Sequence, residues 1–97
     1  MDEAEVRERA EAHAGATMAG DLRKAGGDLT PEAAGSARAV MAQMPVPITS
    51  VDVTEIRPEG DRYVAVIVYS GEESKTTVAS TWEEQDGDPM ITKLEVL

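Results

Sequence analysis

The chain of 97 residues has no cysteine, no phenylalanine, one tryptophan and two tyrosines. Without cysteine it has no disulfide, no thiolate nucleophile and no cysteine-ligated zinc site, which fits a reducing cytoplasm. With so few aromatic rings, the core is expected to consist mainly of valine, methionine and alanine. Alanine and valine bury less apolar area than an aromatic ring, so we expect a marginally stable monomer that oligomerisation would stabilise.

Basic residues are also scarce, because 9 Lys and Arg face 19 Asp and Glu, for a net charge of −10. A nucleic-acid-binding protein needs a basic surface, and an anionic membrane repels an acidic one, so neither partner is expected. No apolar run approaches the roughly 20 residues that a membrane-spanning helix needs. The opening MDEAEVRERAEAHA is charged and has no apolar signal core. We therefore expect a cytoplasmic protein.

The first 45 residues have the spacing and the stop signals of helices. Val6, Ala10, His13 and Thr17 share one helix face, which predicts an amphipathic helix over about residues 3–19 that Gly20 ends. The next predicted helix is a short one over residues 22–25, capped by Asp21 and ended by two glycines at 26 and 27. The sequence Thr-Pro-Glu at 30–32 starts a third helix, which prolines at 45 and 47 end.

From residue 48 the apolar positions alternate with period two, which predicts strands. Four segments follow one another with short turns between them: 48–57, 62–71, 74–85 and 89–96. Short turns join antiparallel neighbours, so we predict a four-stranded meander with the helices on one face. The expected fold class is α+β, and at this length residues 1–97 are expected to form a single domain.

The second predicted strand is apolar on both faces from Tyr63 to Tyr69. A strand that is covered on one face only would alternate apolar and polar residues. The outer face therefore needs a cover, either from this chain or from a second copy. We favour a second copy, which predicts a homodimer through the sheet.

Two sequence segments carry a resemblance to a known family. The first helix ends in Ala16-Thr17-Met18-Ala19-Gly20-Asp21, and Trp82-Glu83-Glu84-Gln85-Asp86-Gly87 precedes Met90-Ile91. Together with the order of helices and strands, these segments resemble the NTF2-like superfamily, also called SnoaL-like or cystatin-like. The resemblance implies a compact member in which a curved sheet wraps around a helix and leaves a conical pocket. It also implies a dimer through the sheet, as in many members. The family usually has a short strand between its helices, and the sequence predicts none between Asp21 and Pro31.

Members of that superfamily include isomerases, cyclases, dehydratases and non-catalytic ligand-binding proteins, so the fold does not decide the function. The residues that we consider as pocket candidates are His13, Asp21, Met41, Met44, Tyr69 and Trp82. His13, the only histidine, is either an acid or base in the pocket or a buried histidine with one hydrogen bond. Asp21 is a base or simply a helix cap, and Trp82 is a pocket floor or a core or interface residue.

The methionines at 18, 41, 44 and 90 either line an adaptable cavity or replace the missing phenylalanines in the core. On the first strand, Asp52, Thr54 and Ile56 are the set expected to face the pocket, and Asp21, Asp52 and Glu55 are the acids that could point inward. No catalytic residue is assigned. Paired acids such as Glu83 and Glu84 point to opposite faces of a strand, so neither a metal nor a cofactor is expected.

Three functions remain open. The first is a non-catalytic homodimer that binds a small apolar ligand. The second is a compact isomerase or cyclase that uses His13 or Asp21 as base. The third is an interaction module whose acidic surface binds a basic partner.

Overall fold

The computed structural model describes residues 1–97 and has the α+β architecture expected from the sequence: three helices pack on an open four-stranded antiparallel sheet. The helices are α1 (Glu3–Ala19), α2 (Leu22–Gly26) and α3 (Pro31–Met41), and the strands are β1 (Ser50–Glu59), β2 (Arg62–Ser70), β3 (Lys75–Gln85) and β4 (Asp88–Val96). The strand order is β1-β2-β3-β4. None of the three helices combines the length and the apolar character needed to cross a bilayer.

Each helix begins at a side chain that accepts a hydrogen bond from a backbone amide of its first turn. The caps are Asp2, Asp21 and Thr30. Gly20, with a φ of 76°, ends α1 in the left-handed conformation that glycine adopts without strain. Helix α3 ends at Met41, earlier than its expected stop at the prolines, because the chain continues through a tighter turn. In that turn the Met44 amide donates to the Met41 carbonyl over 3.1 Å.

Two hairpins are tighter than the sequence predicts. Strand β1 extends through Pro58 to Glu59, so Gly60 and Asp61 alone form the turn to β2. Pro58 fits in β1 because β1 is an edge strand, where a missing amide donor costs little. The β3–β4 turn is Asp86-Gly87, and both residues have positive φ. This is the geometry that matches the twist of a two-residue hairpin.

The helices all lie against one face of the sheet. Helix α1 packs on β1 and β2, and α3 packs on β4. This inner face carries the largest buried side chains of the strands, which are Ile67, Tyr69, Val78, Trp82 and Ile91. Their burial against α1 and α3 forms one core, and no helix covers the outer face.

A bulge in β1 changes which of its residues face the helices. The register with β2 shifts between Val53 and Glu55. As a result Val51, Val53 and Ile56 pack on the core, while Asp52 and Thr54 are exposed. The expectation that Asp52 and Thr54 face the pocket is therefore wrong for both, and Glu55 does not point inward either. A bulge adds one residue to one strand and so reverses the alternation beyond it.

The segment between α2 and α3 is tied to the last strand. Leu29 forms a single parallel bridge with Ile91. The Thr30 amide donates to the Ile91 carbonyl over 2.9 Å, and the Ile91 amide donates to the Asp28 carbonyl over 2.7 Å. The sequence predicts no strand here, and the structure forms one bridge rather than a strand.

Candidate functional site: a cavity between the helices and the sheet

A cavity of about 200 Å³ lies between the three helices and the inner face of the sheet. It is lined by 14 residues, of which 10 are hydrophobic. These residues are His13, Thr17, Leu22, Ala25, Gly26, Leu29, Ala37, Arg38, Val40, Met41, Met44, Tyr69, Val78 and Leu94. Every layer of the fold contributes to this wall, so the cavity is a product of the tertiary structure.

The small side chains of α3 leave room for the cavity. Ala37, Val40 and Met41 line it from the helix side, and Val78 and Leu94 line it from β3 and β4. Because alanine fills much less volume than leucine or phenylalanine, a helix of this composition does not close the space between itself and the sheet. The flexible thioether of Met41 adapts readily to a guest of varied shape.

One end of the cavity is polar. His13 is buried on the inner face of α1, and its Nδ1 lies 3.0 Å from Oδ2 of Asp28. When the Asp28 carboxylate accepts this bond, Nδ1 carries the proton and Nε2 of the neutral ring is left as an acceptor. Every fully buried side-chain nitrogen or oxygen of the chain has a hydrogen-bond partner. Nε2 of His13 has no such partner in the chain. Nε2 is therefore not fully buried, and His13 is one of the cavity residues.

Tyr69 is the second polar residue of this end. Only 2% of its surface is exposed, and burial raises the pKa of Tyr69 to about 12. The neighbouring Thr17 hydroxyl lowers this pKa, in the opposite direction to burial. The phenol is therefore neutral at physiological pH. A neutral hydroxyl can donate or accept a hydrogen bond.

Behind His13, a hydrogen-bonded pair in the core holds the site in place. The Trp82 indole Nε1 donates to Ser80 Oγ over 3.0 Å, and Ser80 Oγ donates to the Ala65 carbonyl over 3.0 Å. Neither Ser80 nor Trp82 is exposed at all. The Trp82 ring meets the His13 ring edge to face, with centroids 6.2 Å apart. Because these hydrogen bonds fix the indole, Trp82 supports the His13 ring from the side of the core.

The structure distributes the pocket candidates over three environments. His13, Met41, Met44 and Tyr69 line the cavity. Trp82 lies in the core behind it, and Asp21 is an exposed cap that accepts from the Lys24 amide over 3.2 Å. Of the other two methionines considered, neither lines the cavity; Met18 is 40% exposed.

The acid that does point inward is Asp28, which sequence reasoning missed. Its side chain is only 20% exposed, and it pairs with His13 across 15 positions of sequence. No periodic pattern or capping signal indicates this contact, because the turn after α2 brings Asp28 to α1. Its place directly after two glycines marks a turn and nothing more.

No three His, Asp or Glu side chains lie close enough together to hold a metal ion. Comparison with protein-family models, with curated proteins and with solved structures finds no match. The cavity and its polar end are thus the observations from which a function has to be argued.

Proposed function

We propose that this domain binds a small apolar ligand with one polar group in the cavity. The single observation that carries the proposal is an apolar cavity whose wall includes the polar side chains of His13 and Tyr69. Small-molecule sites usually combine an apolar wall with a few polar groups that orient the ligand. A packed core of this size has no need for a void, because interiors normally fill to high density.

The volume limits the ligand to about the size of one ring. An engineered apolar cavity of about 150 Å³ in another protein binds benzene. The cavity of about 200 Å³ therefore fits a substituted single ring or a short branched chain. Larger ligands such as polycyclic compounds would need α3 to move.

The polar end favours a hydroxyl group on the ligand. Nε2 of His13 accepts a hydrogen bond when Asp28 holds the proton on Nδ1. Tyr69, which also lines the cavity, supplies a neutral hydroxyl. At the rim, Arg38 also lines the cavity and forms no ion pair. An acidic substituent on the ligand would find its partner there.

Calorimetric titration with phenol and toluene tests the proposal, because the two rings are nearly isosteric and differ in the hydroxyl. We expect phenol to bind more tightly than toluene. Ala37→Leu fills the cavity and should abolish binding of both compounds. Ala34→Leu is the matched control, since Ala34 is exposed on the same helix and does not line the cavity. If neither compound binds, or if Ala37→Leu binds as well as the control, the proposal is wrong.

A second candidate function is proton abstraction, because a histidine held by a carboxylate is a common general base. Asp28, rather than Asp21, would orient His13 in such an isomerase or cyclase. Cyclohexanone incubated with the protein in D₂O tests this candidate. Faster deuterium uptake next to the carbonyl with the wild-type protein than with His13→Gln would favour the enzyme. Equal uptake, together with phenol binding, would favour the binding protein.

The resemblance to the NTF2-like superfamily belongs to the same proposal. The order of the elements, the helices on one face of the sheet and the bridge at Leu29 all support it. The bridge lies where that family usually has a short strand between its helices. On this reading the cavity is the pocket of a compact NTF2-like domain.

A further inference from the structure

The outer face of the sheet carries a regular pattern of charges around an apolar centre. Val64 on β2 is only 4% exposed and Val66 is half-buried, although no helix lies over them. Charged side chains of the two edge strands surround these valines, and together they form a shallow depression of about 240 Å³. A chain with a net charge of −10 has few cations, and two of its nine line this depression.

The strand register arranges this face in two central rows that run across the sheet. We call them the basic row, Arg57-Val64-Thr81-Lys93, and the acidic row, Glu55-Val66-Ala79-Glu95. Each row has a valine at its centre and two like charges at its ends. The rows are neighbours, because the residues of one follow those of the other by two positions along each strand.

We propose that a second copy of this chain covers the outer face, with a two-fold axis that runs across the strands between the two rows. This axis places the basic row of each protomer over the acidic row of the other. Arg57 then meets the partner's Glu55, and Lys93 meets the partner's Glu95. Val64 meets the partner's Val66 at the centre. Each contact occurs twice, as an isologous interface requires.

The charges select this orientation over its alternative. An axis parallel to the strands would bring Arg57 over the partner's Lys93 and Glu55 over the partner's Glu95, which places like charges together. The two charges that β4 contributes to the rows are also available for intermolecular pairing, because Lys93 and Glu95 form no ion pair within the chain. Arg57 does pair with Glu55, at 3.3 Å, but such exposed pairs contribute little and rearrange easily.

The size of the face predicts a weak dimer. Four strands about 4.8 Å apart and four rows about 7 Å apart, the two central rows and the next row on either side, give on the order of 500 Å² per protomer, or about 1,000 Å² in total. That is the lower limit for a specific interface, so we expect a weak dimer with a dissociation constant in the micromolar range. The complementarity is confined to the two central rows, since the next rows would bring Asp52 toward the partner's Glu59.

Charge reversal at Lys93 and Glu95 tests the orientation. Lys93→Glu makes positions 93 and 95 of β4 both acidic, and Glu95→Lys makes both basic, so each variant alone places like charges together across the axis. We expect each to weaken self-association by about tenfold or more in sedimentation equilibrium at physiological salt. An equimolar mixture of the two should form a heterodimer in native mass spectrometry. The double variant K93E/E95K restores opposite charges and should dimerise like the wild type.

Lys24→Glu and Glu11→Lys are the matched controls, because they make the same charge changes on exposed helix positions. Circular dichroism confirms that every variant is folded. A wild-type chain that stays monomeric at high micromolar concentration overturns the proposal. So does self-association of the single variants at wild-type strength, or a mixture that forms no heterodimer. The ligand cavity lies on the opposite face of the sheet, so these outcomes are independent of ligand binding.

Discussion

Removing the Ser80 hydroxyl should be among the most destabilising small changes in this protein. Ser80 Oγ accepts from Trp82 Nε1 and donates to the Ala65 carbonyl, and both distances are 3.0 Å. Neither Ser80 nor Trp82 is reached by solvent. Ser80→Ala leaves the indole N–H without a partner in a site where water cannot replace it.

The expected cost follows from these contacts. An unpaired buried donor costs about 1–3 kcal/mol, and the lost bond to the Ala65 carbonyl adds about 1 kcal/mol. We therefore expect Ser80→Ala to lower the free energy of unfolding by about 2–4 kcal/mol. A domain of this length has a total of only about 5–15 kcal/mol. The melting temperature should accordingly fall by about 10 °C or more.

A double-mutant cycle with Trp82→Phe isolates the bond between the two side chains. Phenylalanine has no N–H, so in its presence Ser80→Ala no longer creates an unpaired donor. The two changes together should therefore cost about 1–2 kcal/mol less than the sum of the single costs. Urea denaturation followed by far-ultraviolet circular dichroism measures all four proteins, since the phenylalanine variants lack the only tryptophan. Ser36→Ala, at a half-buried site on α3, is the control and should change stability by less than about 0.5 kcal/mol.

Additive costs in this cycle would refute the reasoning. They would mean that Trp82 N–H does not depend on Ser80 for its hydrogen bond. A cost of Ser80→Ala no larger than that of the control would have the same meaning.

Three further changes have expected outcomes. The phenol of Tyr69 titrates at higher pH in the folded chain than in the unfolded one, so stability should fall as pH rises from about 10 toward 12. By about pH 11 the free energy of unfolding of the wild type, measured by urea denaturation, should have fallen by about 1.4 kcal/mol more than that of Tyr69→Phe. Free energies of unfolding that change in parallel with pH in the two proteins would contradict this. Gly71→Ala would place a Cβ 2.6 Å from Pro45 Cβ. We expect this contact to lower the free energy of unfolding by about 1–3 kcal/mol, measured by thermal denaturation. A melting temperature equal to the wild type's would show that the loop at Pro45 yields freely. Thr30 caps α3 and also donates to the Ile91 carbonyl over 3.2 Å. Thr30→Ala should cost about 1–2 kcal/mol, while Thr30→Ser should retain most of that stability; equal melting temperatures of the two would contradict a role for the hydroxyl.

Local chemistry was sufficient to predict the helices and the order of the strands. Helix α1 spans Glu3–Ala19, as its apolar spacing and the glycine after it predict. Helix α3 begins at Pro31, where a capping threonine and a first-turn proline coincide. These signals act within one turn of the chain, so they can be recognised without knowledge of the tertiary structure.

Features that depend on pairing between distant segments were not predictable in the same way. The bulge between Val53 and Glu55 exists only in the register of β1 with β2, and it exposes Asp52. The contact of His13 with Asp28 needs the turn after α2 to fold back on α1. The histidine was therefore recognised as a candidate from its helix face, while its partner was not.

The bridge between Leu29 and Ile91 sets the order in which the cavity can be assembled. Asp28 and Thr30 are held by backbone hydrogen bonds to a residue of the last strand, about 60 positions later in the chain. A loop of that length costs more entropy to close than a helix turn or a hairpin, so we expect it to close after the local helices and hairpins have formed. During synthesis the three helices emerge first, but Asp28 acquires its fixed position beside His13 only when β4 has been added to the sheet. Ligand binding would thus report completion of the whole fold. A ligand would stabilise only those chains in which β4 has already joined the sheet.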